Sequence, residues 1–175
     1  TKAVASSDAS LVTASVNGDV LTLDFQGDQY GTATITVTAT SNGKTVQDVV
    51  DVTVSAVDDG PVVANALPDV SASEDAADAT INLANAFNDV DDANASITKA
   101  VASSDASLVT ASVNGNVLTL DFQGDQYGTA TVTVTATSNG KTVQDVIDVT
   151  VSAVDDGPVV VNALPDVSAS EDAAD

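Results

Sequence analysis

Short runs of acidic residues are the feature of this chain best suited to chemistry. Asp58-Asp59 stands between Val57 and Gly60-Pro61, and the same five letters return with Asp155-Asp156 between Val154 and Gly157-Pro158. Ser73-Glu74-Asp75 interrupts an apolar run, and Asn88-Asp89-Val90-Asp91-Asp92 makes a polar loop. Carboxylates gathered without a lysine repel one another, and a divalent ion removes that cost. Calcium takes roughly six to eight oxygen ligands, mostly carboxylates and carbonyls. The competing reading is that the acids are solvated and keep a valine-rich chain soluble. A glycosidase pair would need a cleft and two opposed carboxylates. There is no histidine or cysteine, and no serine sits in a nucleophile-elbow pattern. The chain therefore reads as non-enzymatic.

The elements that position these acids are set by a repeat. Thr1-Lys2-Ala3-Val4 returns at Thr98-Lys99-Ala100-Val101, a period of 97 residues. Residues 1–78 align with 98–175 without a gap and differ at four places: Asp19/Asn116, Ile35/Val132, Val50/Ile147 and Ala64/Val161. A period of this size matches a small domain with its own core rather than a solenoid unit. If repeats divide at the Gly-Pro pairs, residues 1–59 are the C-terminal part of one repeat. Residues 60–157 are then one complete repeat, and 158–175 open the next. The chain reads as a window on a longer array.

Composition excludes several partners. Twenty-six acidic residues stand against four lysines and no arginine, for a formal charge of −22. Nucleic acid and anionic membrane surfaces need basic patches, so neither is expected. No run approaches the ~18 apolar residues of a membrane span, and no signal peptide is visible. Zero cysteine removes disulfides and thiolate zinc sites. An apolar content of 43%, mostly Val and Ala beside many Thr, is too high for disorder and favours strands.

The pattern along the chain is that of strands throughout. Leu11–Val16 and Val20–Phe25 flank Asn17-Gly18, which predicts a type I′ hairpin. Thr32–Thr40 alternates, with Ala33, Ile35, Val37 and Ala39 on one face and threonines on the other. Ser41-Asn42-Gly43 turns the chain into a long last strand, with Val50, Val52 and Val54 inward. In the complete repeat, short strands are expected at 69–73, 79–83 and 97–102, and Phe87 is expected under the sheet. Leu118, Leu120, Phe122, Ala130, Val132, Val134, Ala136, Val149 and Val151 are the expected core. Thr129, Thr131, Thr133 and Thr135 are expected to face water. About seven strands per period predict an all-β fold of tandem antiparallel β-sandwich domains of immunoglobulin-like size, arranged end to end.

The order of these motifs resembles a family. A Pro, then Glu-Asp, a Phe-x-Asp-x-Asp loop, the Gly-Thr-Ala-Thr-Val-Thr-Val-Thr strand and the Val-Thr-Val-Ser-Ala-Val-Asp-Asp-Gly-Pro ending are similar to the cadherin-like tandem repeats of large bacterial surface adhesins. The resemblance implies a cadherin-like sandwich, calcium as the bound ion, and an extracellular or cell-surface stalk or filament. It implies that Glu74, Asp89 and Asp91 converge on Asp58 and Asp59, with Asp92 in reserve. Asp155, Asp156 and Glu171 would repeat the pattern at the next junction. Related repeats often carry an aspartate where Ser41 and Ser138 stand here, which points to fewer ions or to Asn42 and Asn139 carbonyls as ligands. Neighbouring repeats, or copies of the chain in a fibre, are the implied partners. The alternative is a module that binds carbohydrate or another copy of itself on a cell surface. Tyr30 and Tyr127 could stack on a sugar, but capping of the core is the expected role. The phenylalanines fit inward positions, which favours the stalk. Lys44 and Lys141 are expected to face solvent.

Overall fold

The computed structural model describes residues 1–171, and all its regular elements among them are strands. The first copy contains β1 (Lys2–Ser6), β2 (Val12–Asn17), β3 (Val20–Phe25), β4 (Gly31–Ser41) and β5 (Lys44–Val54). Next come β6 (Val62–Val63), β7 (Val70–Ser73), β8 (Ala79–Asn82), β9 (Phe87–Asn88) and β10 (Thr98–Ser103). They are followed by β11 (Val109–Asn114), β12 (Val117–Phe122), β13 (Gly128–Ser138) and β14 (Lys141–Ser152). Apart from the two-residue β6 and β9, seven strands make up the complete repeat.

Strands β7, β8 and β10–β14 close a two-sheet sandwich, and β6 and β9 pair separately with each other. One sheet has the order β10-β13-β14-β7 and the other β11-β12-β8. Neighbours run antiparallel except β7, which lies parallel to β14 with Val70 opposite Val149. This is an immunoglobulin-type arrangement in which the opening strand joins the edge of the last one. The alternation of β13 sends Ala130, Val132, Val134 and Ala136 inward, where they meet Leu118, Leu120, Phe122, Ile147, Val149 and Val151. Phe87, Leu83 and Ile97 fill the end of the same core. All nine inward residues expected from the sequence are buried, and β14 runs from end to end as one strand. On the opposite face Thr129 and Thr131 are exposed, but Thr133 and Thr135 are half-covered. Strand β13 has a neighbour on each side, and Gln144 reaches across to donate to the Thr135 hydroxyl at 3.1 Å.

The first copy has the same strands without the opening ones. Its sheets are β1-β4-β5 and β2-β3, so β5 and β3 each keep an open edge. The buried core is only Leu11, Val12, Ala33, Ile35 and Val52. Phe25 is 53% exposed where Phe122 is 7%, and Val50 is 40% exposed where Ile147 is fully buried. An inward position by alternation is a buried position only where another strand covers it.

Turn chemistry differs from the expectation in one respect. The β2–β3 register pairs Asn17 with Val20, so the two turn residues are Gly18-Asp19 rather than Asn17-Gly18. Only Gly18 has positive φ, at 61°, the pattern of a type II′ turn. The type I′ turn is found at Asn42-Gly43 (φ 49° and 76°) and again at Asn139-Gly140 (45° and 82°). It joins the two longest strands and aims Asn139 at the junction.

Candidate metal centre at the ends of the complete repeat

Acidic groups collect at both ends of the complete sandwich. At the end facing the first copy, the linker after β5 meets the loop after β9 and the β13–β14 turn. Asp89 is the anchor of that loop. Its Oδ1 accepts the backbone N–H groups of Asp91 (3.0 Å) and Asp92 (3.2 Å), which holds the loop in a tight local turn. Its side chain is buried, and its Oδ2 has no hydrogen-bond partner. Asp91 Oδ2 accepts the Asp59 backbone N–H at 2.6 Å. Asp92 Oδ2 accepts from the Ser138 hydroxyl (2.7 Å) and the Asn139 amide (2.8 Å). A cleft of about 200 Å³ opens here, lined by Asp28, Gln29 and Tyr30 of the first copy, by Asp59, and by Asp91. Asp59 and Asp91 are thus neighbours at this end.

Asp58 is held differently. The Asn139 amide donates to its Oδ1 at 2.8 Å, the Lys141 ammonium lies 3.3 Å from its Oδ2, and the same ammonium bonds its backbone carbonyl. Lys141 is therefore a clasp on the linker rather than a purely solvated group. The hydrogen bond from Asn139 is the main cause, with Lys141 adding to it, that holds the Asp58 carboxyl below the ordinary 3.8. A depressed carboxylate contributes stability above its unfolded value and loses it as pH falls through the lower folded value. Asp58 should therefore stay ionised when free aspartates are half protonated. A carboxyl-detected NMR titration should place Asp58 below 3.8. Asn139→Ala and Lys141→Ala should each move it upward; an unchanged Asp58 titration in both would contradict the geometry.

Glu74 corrects the expected ligand set, because it does not converge on Asp58 and Asp59. It lies at the opposite end, buried, where its N–H donates to Ser152 O at 2.9 Å and its Oε1 accepts the Val154 N–H at 2.6 Å. The reason is the parallel β7–β14 pairing, which carries residue 74 alongside the end of β14. Beside it, Asp75, Asp125 and Asp156 each offer an oxygen within 4.8 Å of the others, the one such group among the described residues. Calcium–oxygen distances of ~2.3–2.6 Å allow two ligands of one ion to lie up to about 5 Å apart, so this spacing fits. Asp75 Oδ1 also accepts the Asp125 N–H at 3.2 Å. Asp155 is exposed and outside that group, and Glu171 is exposed in the segment that follows β14.

Three of the residues gathered here, Asp28, Asp75 and Asp125, are absent from the set expected from the sequence. The signal they carry is conformational. All five described non-glycine residues with positive φ are Asp28, Asp75, Asp125, Asn42 and Asn139. Left-handed backbone costs ~1–2 kcal/mol for most residues and is borne best by Asp and Asn. Such outliers concentrate where a site needs a particular loop shape. In the sequence, Gly27-Asp28 and Gly124-Asp125 ahead of a tyrosine were the visible trace. Tyr30 and Tyr127 are well exposed, so neither caps the core. Ser138, standing where related repeats often carry an aspartate, is buried and serves Asp92 as a donor. Asn139 likewise contributes its amide hydrogens to Asp58 and Asp92.

No family model matches the sequence, and no curated protein matches it. Solved structures with a similar backbone include the extracellular cadherin domains 1–5 of protocadherin gamma B2, at 16% identity and a TM-score of 0.47. The match covers 90% of this chain and 34% of that one. Domains 4 and 5 of the S-layer protein SbsC match at 19% identity and TM-score 0.42, over 87% of this chain and 70% of that one. An endo-fucoidan hydrolase of glycoside hydrolase family 107 matches at 16% identity and TM-score 0.43, over 91% and 25%. The chain thus spans about a quarter of the hydrolase and a third of the protocadherin segment. By its own strand order it is an array of cadherin- or immunoglobulin-like β-sandwich segments.

Proposed function

We propose that this chain is a structural segment of an extracellular stalk or filament, built like the cadherin-like repeat arrays of bacterial surface adhesins. Its repeats divide at Gly60-Pro61 and Gly157-Pro158, and calcium at the junctions stiffens it. The observation that carries this reading is Asp89. A buried carboxylate with one oxygen unpartnered costs free energy unless a cation or donor meets it. Asp59, Asp91 and Asp28 line the neighbouring cleft, and Asp92 stands in the same loop. Glu74, Asp75, Asp125 and Asp156 form the outgoing counterpart, with Asp155 and Glu171 as further candidates. Bound there, calcium would supply a positive charge that both repeats share, and the residues themselves fix the linker through the Asp59–Asp91 and Asp58–Asn139 contacts. The role is non-enzymatic.

The test is the thermal stability of the chain in millimolar calcium and in chelator. With calcium at about 100 times Kd each site should add about 2.7 kcal/mol, provided the unfolded chain does not bind. Equal melting temperatures in the two conditions, with magnesium as control, would overturn the calcium reading. A second reading, carbohydrate or self-recognition along the array, has one observation in its favour: Tyr30 and Tyr127 are exposed beside the acidic loops. Binding on a glycan array that is lost in Tyr127→Ala would favour that reading.

A further inference from the structure

Asp58 and Asp59 are adjacent in the chain but face different partners. Asp59 lines the cleft with Asp28 and Asp91, and its N–H donates to Asp91 Oδ2 at 2.6 Å. Asp58 takes no part in that lining. It turns instead to the hairpin between β13 and β14, where the Asn139 amide donates to its Oδ1 at 2.8 Å and the Lys141 ammonium stands 3.3 Å from its Oδ2. The same ammonium donates to the Asp58 backbone carbonyl. The lysine stem is in contact as well. A Cβ added at Gly60 would lie 3.3 Å from Lys141 Cβ and 3.5 Å from its Cδ, so the linker backbone runs flush over the stem. A glycine at 60 permits that close approach, and Pro61 beyond it is buried.

Ser138 and Asn139 bring Asp92 to the same side. Asp92 Oδ2 accepts from both, and the Asn139 amide thereby links Asp92 to Asp58. The fold fixes these donors, because the β13–β14 register pairs Ser138 with Lys141 across the type I′ turn and presents that hairpin end to the linker. The Asp59 side has no such donor set. No lysine lines the cleft of Asp28, Asp59 and Asp91, and the second oxygen of Asp89, in the same loop as Asp91, has no partner. An ammonium carries a compact charge and three donors on a flexible stem, which suits a site of one carboxylate and one carbonyl. The chain has only four lysines against 26 acidic residues, and one of them stands here.

We propose that Lys141 is a built-in cation of this junction. It neutralises Asp58 and holds the linker of residues 58–61 on the complete repeat with or without calcium. Asp59, with Asp28, Asp89 and Asp91, is left as the carboxylate side open to an exchangeable ion. The statement about the open side rests on the calcium reading given above; the statement about Lys141 does not. Two adjacent aspartates thus answer to two cations, one of them part of the chain. Chelation frees the Asp59 side and leaves the Asp58 side in place, so the linker keeps its path when the ion is gone. Lys141 acts here as a positioning residue for the linker.

The test is NMR on the isotope-labelled 175-residue chain, first in chelator. Backbone order parameters at Asp58, Asp59 and Gly60 should stand near the rigid value of about 0.85. Lys141→Met keeps most of the stem and removes the charge, and should lower them toward the flexible range of about 0.6. Lys141→Ala removes both and should lower them further. Lys44→Met, on the counterpart turn of the first copy, should leave them unchanged. The backbone pairing of Ser138 with residue 141 needs no lysine head group, so unchanged β13 and β14 amide signals report that the variants remain folded. A parent linker that is mobile in chelator and rigid only in calcium overturns the proposal, and so does a linker indifferent to Lys141→Met. The second arm needs no variant. As calcium is added to the parent, the carboxyl carbons of Asp59 and Asp91 should shift and that of Asp58 should hold. Asp58 moving with them overturns the division between two cations. Carboxyl signals that ignore calcium, with a linker that still follows Lys141, uphold the lysine clasp and count against the calcium reading alone.

Discussion

Phe122→Ala should destabilise the complete repeat by about 3–5 kcal/mol, whereas Phe25→Ala, the same change in the same local sequence, should cost less than about 1 kcal/mol. Each phenylalanine ends a Val-Leu-Thr-Leu-Asp-Phe strand hydrogen-bonded to an identical partner strand. In the complete repeat β8 adds a third strand, setting Ala79 and Ile81 against Leu120 and Leu118, and the opposite sheet closes over Phe122. In the first copy β3 has no third strand, so removing the ring opens no cavity and exposes little new surface. Backbone hydrogen exchange resolved by segment reads both halves in one experiment. Phe122→Ala should raise exchange throughout β10–β14, and Phe25→Ala should leave it unchanged there. Similar losses from the two substitutions would contradict the difference in cover between the two phenylalanines.

Asp89→Asn should change sign with calcium. The asparagine side-chain oxygen can still accept the Asp91 and Asp92 N–H groups, so the loop keeps its shape. In chelator the substitution removes a buried charge whose second oxygen has no partner, so stability should hold or rise. In calcium at about 100 times Kd the variant should lose about the 2.7 kcal/mol that the ion contributes to the parent. Thermal melts of parent and variant in the two conditions measure the four values needed. An equal loss in chelator and calcium would make Asp89 a purely structural hydrogen-bonding residue and remove the main support for an ion at this junction.

Much of the fold is legible in the sequence because β alternation is local. Side chains two apart share a face whatever the strand pairs with, so the inward set Ala130, Val132, Val134 and Ala136 follows from spacing alone. The acids of the junctions are legible for a similar reason, since Asp58-Asp59 and Asp89-x-Asp91 stand next to turn residues that must be at the surface. Both Asn-Gly pairs carry the same local signal for a type I′ turn, and only the second forms one. Only the pairing of Asn17 with Val20 rather than across Asn17-Gly18 separates them.

What the chain sequence determined by itself is the repeat, the strands, their inward faces and the density of carboxylates at the turns. Tertiary structure alone decided which of those faces is buried and which carboxylates meet. Residues 1–54 and 98–151 differ at three positions and yet bury different fractions of the same side chains. Cover comes from β7 and β8, strands remote in sequence, and no local property of β3 or β5 encodes their presence. The junction at which Glu74 stands is not legible in the sequence for the same reason. Its place follows from a parallel pairing between residues about eighty apart, which carries it to the end of β14 and leaves Asp59 and Asp91 to meet at the other end.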